Sequence, residues 1–313
     1  MMDLSKILPD LSHEFAEING ARIHYVKAGK GPLMLFQHGF PQCWYTFRHQ
    51  LAEFAKTHTV VAPDLRGYNL SSKPTKRWDY GTWVSVEDIR ALVRHLGFET
   101  YVHVGHDTGG VIGYSMALHY PALLDRLVIL CTAHPATFDR DLHEDQDQIK
   151  ASQYLLFTRR LDSAEFLAGN DFERLKNITA LPFFSDVDRQ MYLEAWRQPG
   201  AAEGIVGWYQ REGLGPKDEF GTPARGNTCP EVSPQIISVP SLVVYTDDDA
   251  YVRPHAFSGM ERYMPNGTVT NVPGSHWICD EHPQLVNRMI REFVDGKPLI
   301  PSEPARDTNL ATA

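Results

Sequence analysis

Short apolar runs that alternate with helical segments constrain the fold of this chain more than any other feature. Continuous apolar runs separated by helices are typical of parallel strands that are buried on both faces. The runs lie at residues 33–37, 60–62, 102–105, 127–130, 242–245 and 268–272, and the predicted helices at residues 44–57, 84–96, 111–119, 255–263 and 285–294. Residues 15–18 and 22–27 are predicted to pair as a hairpin around Asn19-Gly20. The sequence therefore predicts an α/β fold with a mostly parallel central sheet and helices on both faces.

The alternation is interrupted once, between residues 134 and 235. This interval is helical in pattern and rich in aromatic residues, and its last part, residues 213–234, is rich in Gly and Pro. We expect an α/β core formed by residues 1–133 and 236–300, with residues 134–235 inserted as a helical lid. The polar, Pro- and Ala-rich residues 301–313 are expected to form a loose C-terminal tail.

Charge and apolar content limit the classes of partner. The chain has 313 residues, 42% of them hydrophobic, and a formal net charge of -9 with its basic residues scattered. This balance argues against nucleic acid or an anionic membrane as a partner. The first eleven residues carry charges and no long apolar run, so we expect neither a signal peptide nor a membrane anchor. The expected location is cytoplasmic. The four cysteines lie far apart and are expected to be free thiols.

The run GHDTGG at residues 105–110 lies between a predicted strand and a predicted helix. A tight strand-to-helix turn needs small residues around its central residue, and Gly105 and Gly109 meet that need. The central residue, Asp107, is then lifted above the sheet at the positive end of the helix. A carboxylate with a pKa near ~4 is ionised at neutral pH and attacks carbon without the help of a base. Asp107 is therefore the predicted nucleophile.

Three motifs together resemble the α/β-hydrolase-fold epoxide hydrolases: GHDTGG, HGFP at residues 38–41 and PDLRGY at residues 63–68. The similarity runs from about residue 15 to residue 294 and implies the α/β-hydrolase fold. It implies that the backbone N–H groups of Phe40 and Thr108 form an oxyanion hole. Many members of the family carry Trp where this chain has Thr108, a difference expected to alter the pocket wall but not the backbone donor.

The resemblance also implies a base and an acid. His276, in the loop that precedes the last predicted helix, matches the family's base. The acid should follow the strand at residues 242–245, where Asp247, Asp248 and Asp249 are adjacent. The family's spacing favours Asp249, with Asp248 the main competitor because one residue of register decides between them.

Two tyrosines of the lid match the family's proton donors. An epoxide oxygen leaves as a strongly basic alkoxide, and a tyrosine hydroxyl, with a pKa near ~10, can protonate it. The resemblance places Tyr154 and Tyr209 in this role, and Trp208, Phe157 and Phe40 against the substrate. No metal or organic cofactor is implied.

The sequence thus predicts that this chain is an epoxide hydrolase whose substrates are a small apolar epoxide and water. It is expected to act as a monomer or homodimer. A haloalkane or haloacetate dehalogenase with the same nucleophile is the first alternative. It is disfavoured because Thr108 replaces the Trp usual in haloalkane dehalogenases, and because residues 109–113 lack the arginines of haloacetate dehalogenases. A non-catalytic binding protein with this fold is the second alternative, disfavoured because it has no need of Asp107, Asp249 and His276 together.

Overall fold

A computed structural model describes residue 8 and residues 10–299 of the chain. Its centre is one eight-stranded sheet. The strands are β1 Ser12–Ile18, β2 Ala21–Ala28, β3 Leu33–Gln37, β4 Thr59–Pro63, β5 Tyr101–His106, β6 Leu124–Leu130, β7 Ser241–Thr246 and β8 Gly267–Val272. Every residue of β3, β4 and β5 is buried, which explains why these strands are mostly apolar and do not alternate between apolar and polar residues.

The strand order in the sheet is β1-β2-β4-β3-β5-β6-β7-β8. The pairings β1–β2 and β2–β4 are antiparallel, and the other five are parallel. The carboxyl ends of β3, β5, β7 and β8 therefore lie along one edge of the sheet. Loops that leave this edge carry the predicted site residues of the core.

Helices connect these strands. Those outside the insertion are α1 Arg48–Phe54, α2 Thr82–His95, α3 Thr108–His119, α10 Ile278–Glu281 and α11 Pro283–Val294. Six more lie between β6 and β7, namely α4 Pro135–Glu144, α5 Gln146–Ala151, α6 Tyr154–Thr158, α7 Ser163–Thr179, α8 Asp186–Trp196 and α9 Ala201–Glu212. Residues 169–172 interrupt the helical backbone of α7. Short 3-10 helices occupy Trp44–Phe47, Arg77–Asp79, Pro121–Leu123, Pro254–Phe257 and Met260–Arg262.

The predicted fold class is confirmed, with a mostly parallel sheet and a helical insertion between β6 and β7. The predicted lid limits at residues 134 and 235 stay predictions, and the predicted tail at 301–313 lies outside the described residues. Within residues 8 and 10–299, no helix combines the length and apolar character needed to cross a membrane.

Two predicted helices differ from the structure. The single helix expected at residues 255–263 is wrong, because Gly259, with a φ of +83°, separates two 3-10 helices there. The helix expected at residues 44–57 begins as the 3-10 helix Trp44–Phe47 and ends at Phe54 as α1.

Candidate active site

Asp107 occupies a strained turn between β5 and α3. Its φ of +53° and ψ of -121° are costly for a residue with a side chain, and α3 begins at the next residue. The turn tolerates no side chain at its two glycines. A Cβ at Gly105 would overlap the carbonyl oxygen of Gly109, and a Cβ at Gly109 would overlap that of Gln37. Glycine at these two positions therefore lets the backbone pack closely while the side chain of Asp107 projects above the sheet.

The carboxylate of Asp107 has two differently surrounded oxygens. Oδ1 accepts hydrogen bonds from the backbone N–H of Phe40 at 2.7 Å and from the hydroxyl of Thr108 at 3.0 Å. Oδ2 lies 3.6 Å from Nε2 of His276, which is an ion-pair distance rather than a hydrogen bond. Burial alone would raise the pKa of Asp107, but His276 and the Phe40 N–H outweigh burial and lower the pKa to about 2. Asp107 is therefore ionised at neutral pH.

His276 is held between two carboxylates. Its Nδ1–H donates to Oδ2 of Asp249 at 2.7 Å, and the same carboxylate accepts the backbone N–H groups of Tyr251 and Val252 at Oδ1. Asp249 is fully buried, whereas Asp247 and Asp248 are exposed. The structure thus brings Asp249, and neither of its two acidic neighbours, to the predicted base.

The two carboxylates change the protonation of His276. Burial by itself would lower the pKa of His276, but the charge of Asp249 and the adjacent Asp107 together raise the pKa to about 10. His276 is therefore a cation at neutral pH while Asp107 is ionised. His106, whose pKa burial lowers to about 4, donates its Nε2–H to the carbonyl oxygen of His276 at 2.7 Å and fixes the backbone of the base.

Tyr154, at the start of α6, and Tyr209, in α9, line the same cavity as Asp107. Burial and then the charge of Asp107 raise the pKa of each tyrosine well above its usual range. Both hydroxyls therefore stay protonated at neutral pH. The oxygen of Tyr209 is 3.4 Å from the hydroxyl oxygen of Thr108, and the ring of Tyr209 packs edge-on against Phe40 at 5.3 Å.

Asp107 lies at the junction of two cavities. The larger has about 550 Å³ of atom-free space, and its apolar wall comes from Val111, Phe138, Leu155, Trp208 and Leu214. The smaller has about 220 Å³, and it is lined by Phe40, Tyr154, Ile178, Tyr251, His276 and Trp277 beside Asp107. Two of the three predicted substrate contacts, Trp208 and Phe40, thus lie in the walls of these cavities.

The structure does not bring Phe157, the third predicted substrate contact, to the cavities at Asp107. Phe157 packs on Phe166 with ring centroids 4.5 Å apart and borders an outer groove of the lid, and neither cavity at Asp107 includes it in its wall.

Sequence reasoning missed two contributors to the site. The ring of Tyr251 packs edge-on against both Tyr154 and His276, with centroids 5.3 and 5.0 Å away, and forms part of the smaller cavity. In the sequence, the one indication of this role of Tyr251 is its position two residues after Asp249. The second is the hydroxyl of Thr108. The sequence predicts a role for the backbone N–H of Thr108, whereas the contact with Asp107 in the structure comes from the side chain.

Two groups of side chains in the described residues bring metal-ligating atoms within 4.8 Å of one another. One is His106, Cys131 and His276, which is buried at the site, and the other is His119, Cys229 and Glu231 near the surface. In the first group, His276 is already engaged by Asp249.

The chain is similar to known proteins over most of its length. The α/β-hydrolase fold family matches residues 32–283. Epoxide hydrolase 4 of Mus musculus is 30% identical over 290 residues, which cover 88% of this chain and 77% of the relative. The chain belongs to the α/β-hydrolase-fold epoxide hydrolases.

Two further proteins are similar to this chain over most of its length. The AB hydrolase superfamily protein YfhM of Bacillus subtilis is 30% identical over 293 residues, which cover 91% of this chain and 98% of the relative. A crystal structure of an epoxide hydrolase of Bacillus megaterium in complex with an inhibitor is 31% identical, with a TM-score of 0.84, over 90% of this chain and 100% of that one. The shared fold therefore extends over the core and the insertion alike.

Proposed function

We propose that this protein is an epoxide hydrolase that converts an epoxide and water to a vicinal diol through a covalent ester on Asp107. One observation carries the proposal: a single largely apolar cavity is lined by the ionised Asp107 and by the protonated Tyr154 and Tyr209. A nucleophile and proton donors around one cavity are what opening an epoxide ring requires. The named epoxide hydrolases among its relatives support the same reaction.

In the first half of the reaction, Oδ2 of Asp107 attacks a ring carbon of the epoxide. The carbon–oxygen bond of the ring breaks, and its oxygen takes a proton from one of the two tyrosines. The product is a hydroxyalkyl ester of Asp107. The apolar walls supplied by Trp208 and Phe138 favour substrates with an apolar substituent.

Ester formation prepares His276 for the second half. The ester is neutral, so His276 loses the Asp107 charge that raises its pKa and passes its proton to the tyrosinate. Neutral His276, still oriented by Asp249, then accepts a proton from water, and the resulting hydroxide attacks Cγ of Asp107. The Phe40 N–H faces the oxygen on which negative charge develops. Collapse of this intermediate releases the diol.

A single turnover in heavy-oxygen water, with styrene oxide as the probe and enzyme in excess, tests the proposal. The covalent route puts the label into Asp107 and none into the first diol formed. Label found directly in that diol would mean that water attacks the epoxide itself, and the ester mechanism would be wrong.

The variant Tyr209→Phe tests the leaving-group assignment. We expect epoxide turnover to fall by roughly 100-fold because one proton donor is lost, and unchanged turnover would remove Tyr209 from the mechanism.

Halide release from haloalkanes without epoxide turnover would identify a dehalogenase instead. Ligand binding without any product would identify a binding protein.

A further inference from the structure

The side chain of Thr108 contacts the nucleophile directly. Thr108 is the first residue of α3 and is 2% exposed, and its hydroxyl donates to Oδ1 of Asp107 at 3.0 Å. The Phe40 N–H donates to the same oxygen at 2.7 Å. Oδ1 therefore has two donors, while Oδ2 faces His276 at 3.6 Å without a hydrogen bond. This asymmetry leaves Oδ2 as the attacking oxygen and makes Oδ1 the carbonyl oxygen of the ester.

The Thr108 hydroxyl also contacts the hydroxyl of Tyr209. A hydroxyl has one proton, and Thr108 gives it to Asp107, so in the 3.4 Å contact between Thr108 and Tyr209 the tyrosine is the donor. The order of donation is Tyr209 to Thr108 to Asp107. At 3.4 Å this contact is weak, so the Tyr209 hydroxyl is free to turn to an epoxide oxygen while Thr108 keeps its bond to Oδ1.

We propose that Thr108 is a catalytic residue of the second half-reaction. Its hydroxyl is a side-chain donor of the oxyanion hole. The inference rests on the covalent mechanism proposed above. When water adds to Cγ of Asp107 and gives its proton to His276, the electron pair of the carbonyl bond moves onto Oδ1. The hydroxyl already lies on this oxygen and stabilises its charge beside the Phe40 N–H.

The tetrahedral intermediate then collapses without any further reactant. The carbonyl bond to Oδ1 reforms, the bond between Cγ and Oδ2 breaks, and the released oxygen takes the proton held by His276. Since the charge on Oδ1 grows only in this half-reaction, the hydroxyl of Thr108 acts on ester hydrolysis and not on ester formation. In ester formation Oδ1 loses charge, so the same hydrogen bond gives no acceleration there.

The test compares Thr108→Val, which keeps the shape but loses the hydroxyl, with Thr108→Ser, which keeps the hydroxyl. Styrene oxide is mixed with excess enzyme, the reaction is quenched at short times, and the Asp107 ester is followed by intact-protein mass. Removing one oxyanion donor typically costs on the order of 100-fold in rate. We expect Thr108→Val to slow ester hydrolysis by that order while ester formation changes by less than about threefold, so that the ester accumulates. Thr108→Ser should recover most of the hydrolysis rate.

Equal slowing of both steps in Thr108→Val, or no slowing of ester hydrolysis, would overturn the role of Thr108. If the Val variant does not fold, Thr108→Ala against Thr108→Ser gives the same separation of the two rates. Wild-type protein that forms no ester and opens no epoxide would contradict the proposed function itself, an outcome distinct from failure of the Thr108 assignment.

Discussion

At the scale of single residues, the charge of Asp107 controls the protonation of His276. Replacing Asp107 by Asn removes a charge 3.6 Å from Nε2 of His276 but leaves its contact with Asp249. We expect the pKa of His276 to fall by at least about one unit, because one of the two carboxylates that raise it is gone. NMR titration of the His276 ring measures this shift. The exposed Asp248→Asn is the matched control, and an identical His276 pKa in the two variants would contradict the coupling.

Gly39 limits the space beside the nucleophile. A Cβ built at this position would overlap the side chain of Asp107 at Oδ1. We expect Gly39→Ala to reduce kcat/KM for epoxide by roughly 100-fold, because a displacement of the nucleophile by about 1 Å has that effect. Gly169→Ala is the control, since a Cβ there meets nothing within 4 Å and its φ is -55°. Similar kinetics for both alanine variants would mean that Gly39 has no part in positioning Asp107.

At the scale of elements, a buried ionic cluster joins the lid to the core. Arg48 at the start of α1 is 3% exposed and pairs with Asp188 of α8 at 3.0 Å and with Asp280 of α10. We expect Arg48→Met to destabilise the fold by about 3–5 kcal/mol, because two buried carboxylates lose their cation. Urea unfolding measures the difference.

The exposed pair of Arg197 with Asp171 provides the control for that measurement. Arg197→Met removes a cation of the same kind from the lid surface, where an ion pair contributes about 0–1 kcal/mol. Equal shifts of the unfolding midpoint in the Arg48 and Arg197 variants would show that the lid–core cluster does not stabilise the fold.

Elements also explain what could be predicted from the sequence. The strands β3 and β5 are recognisable because burial on both faces makes most of their residues apolar or small. The elbow is recognisable because its crowding excludes a Cβ at Gly105 and Gly109. The choice of Asp249 over Asp248 depends on a turn in which Asp249 accepts two backbone N–H groups, and adjacent identical residues do not reveal that turn. The sequence does not reveal that Phe157 lies outside these cavities, because a helix as short as α6 gives too little periodicity to tell its inner from its outer side.

At the scale of the whole molecule, the raised pKa of His276 links stability to pH. The folded-state pKa of about 10 exceeds the ordinary histidine pKa of 6.5, so the folded state binds more protons between these values. The stabilisation is fully present below pH 6.5, declines as pH rises and is lost above pH 10. We expect the free energy of unfolding of the wild type to fall across this window by on the order of 3 kcal/mol more than that of His276→Gln.

Urea unfolding at intervals from pH 6 to pH 10 measures this difference. Subtracting the two curves cancels the lysines, tyrosines and cysteines that titrate in both proteins, so that the remaining slope belongs to His276 and its two carboxylates. A difference that stays constant over the window would mean that His276 binds no extra proton in the folded state. The resting enzyme would then hold a neutral base beside Asp107, and ester formation would not be the event that changes its protonation.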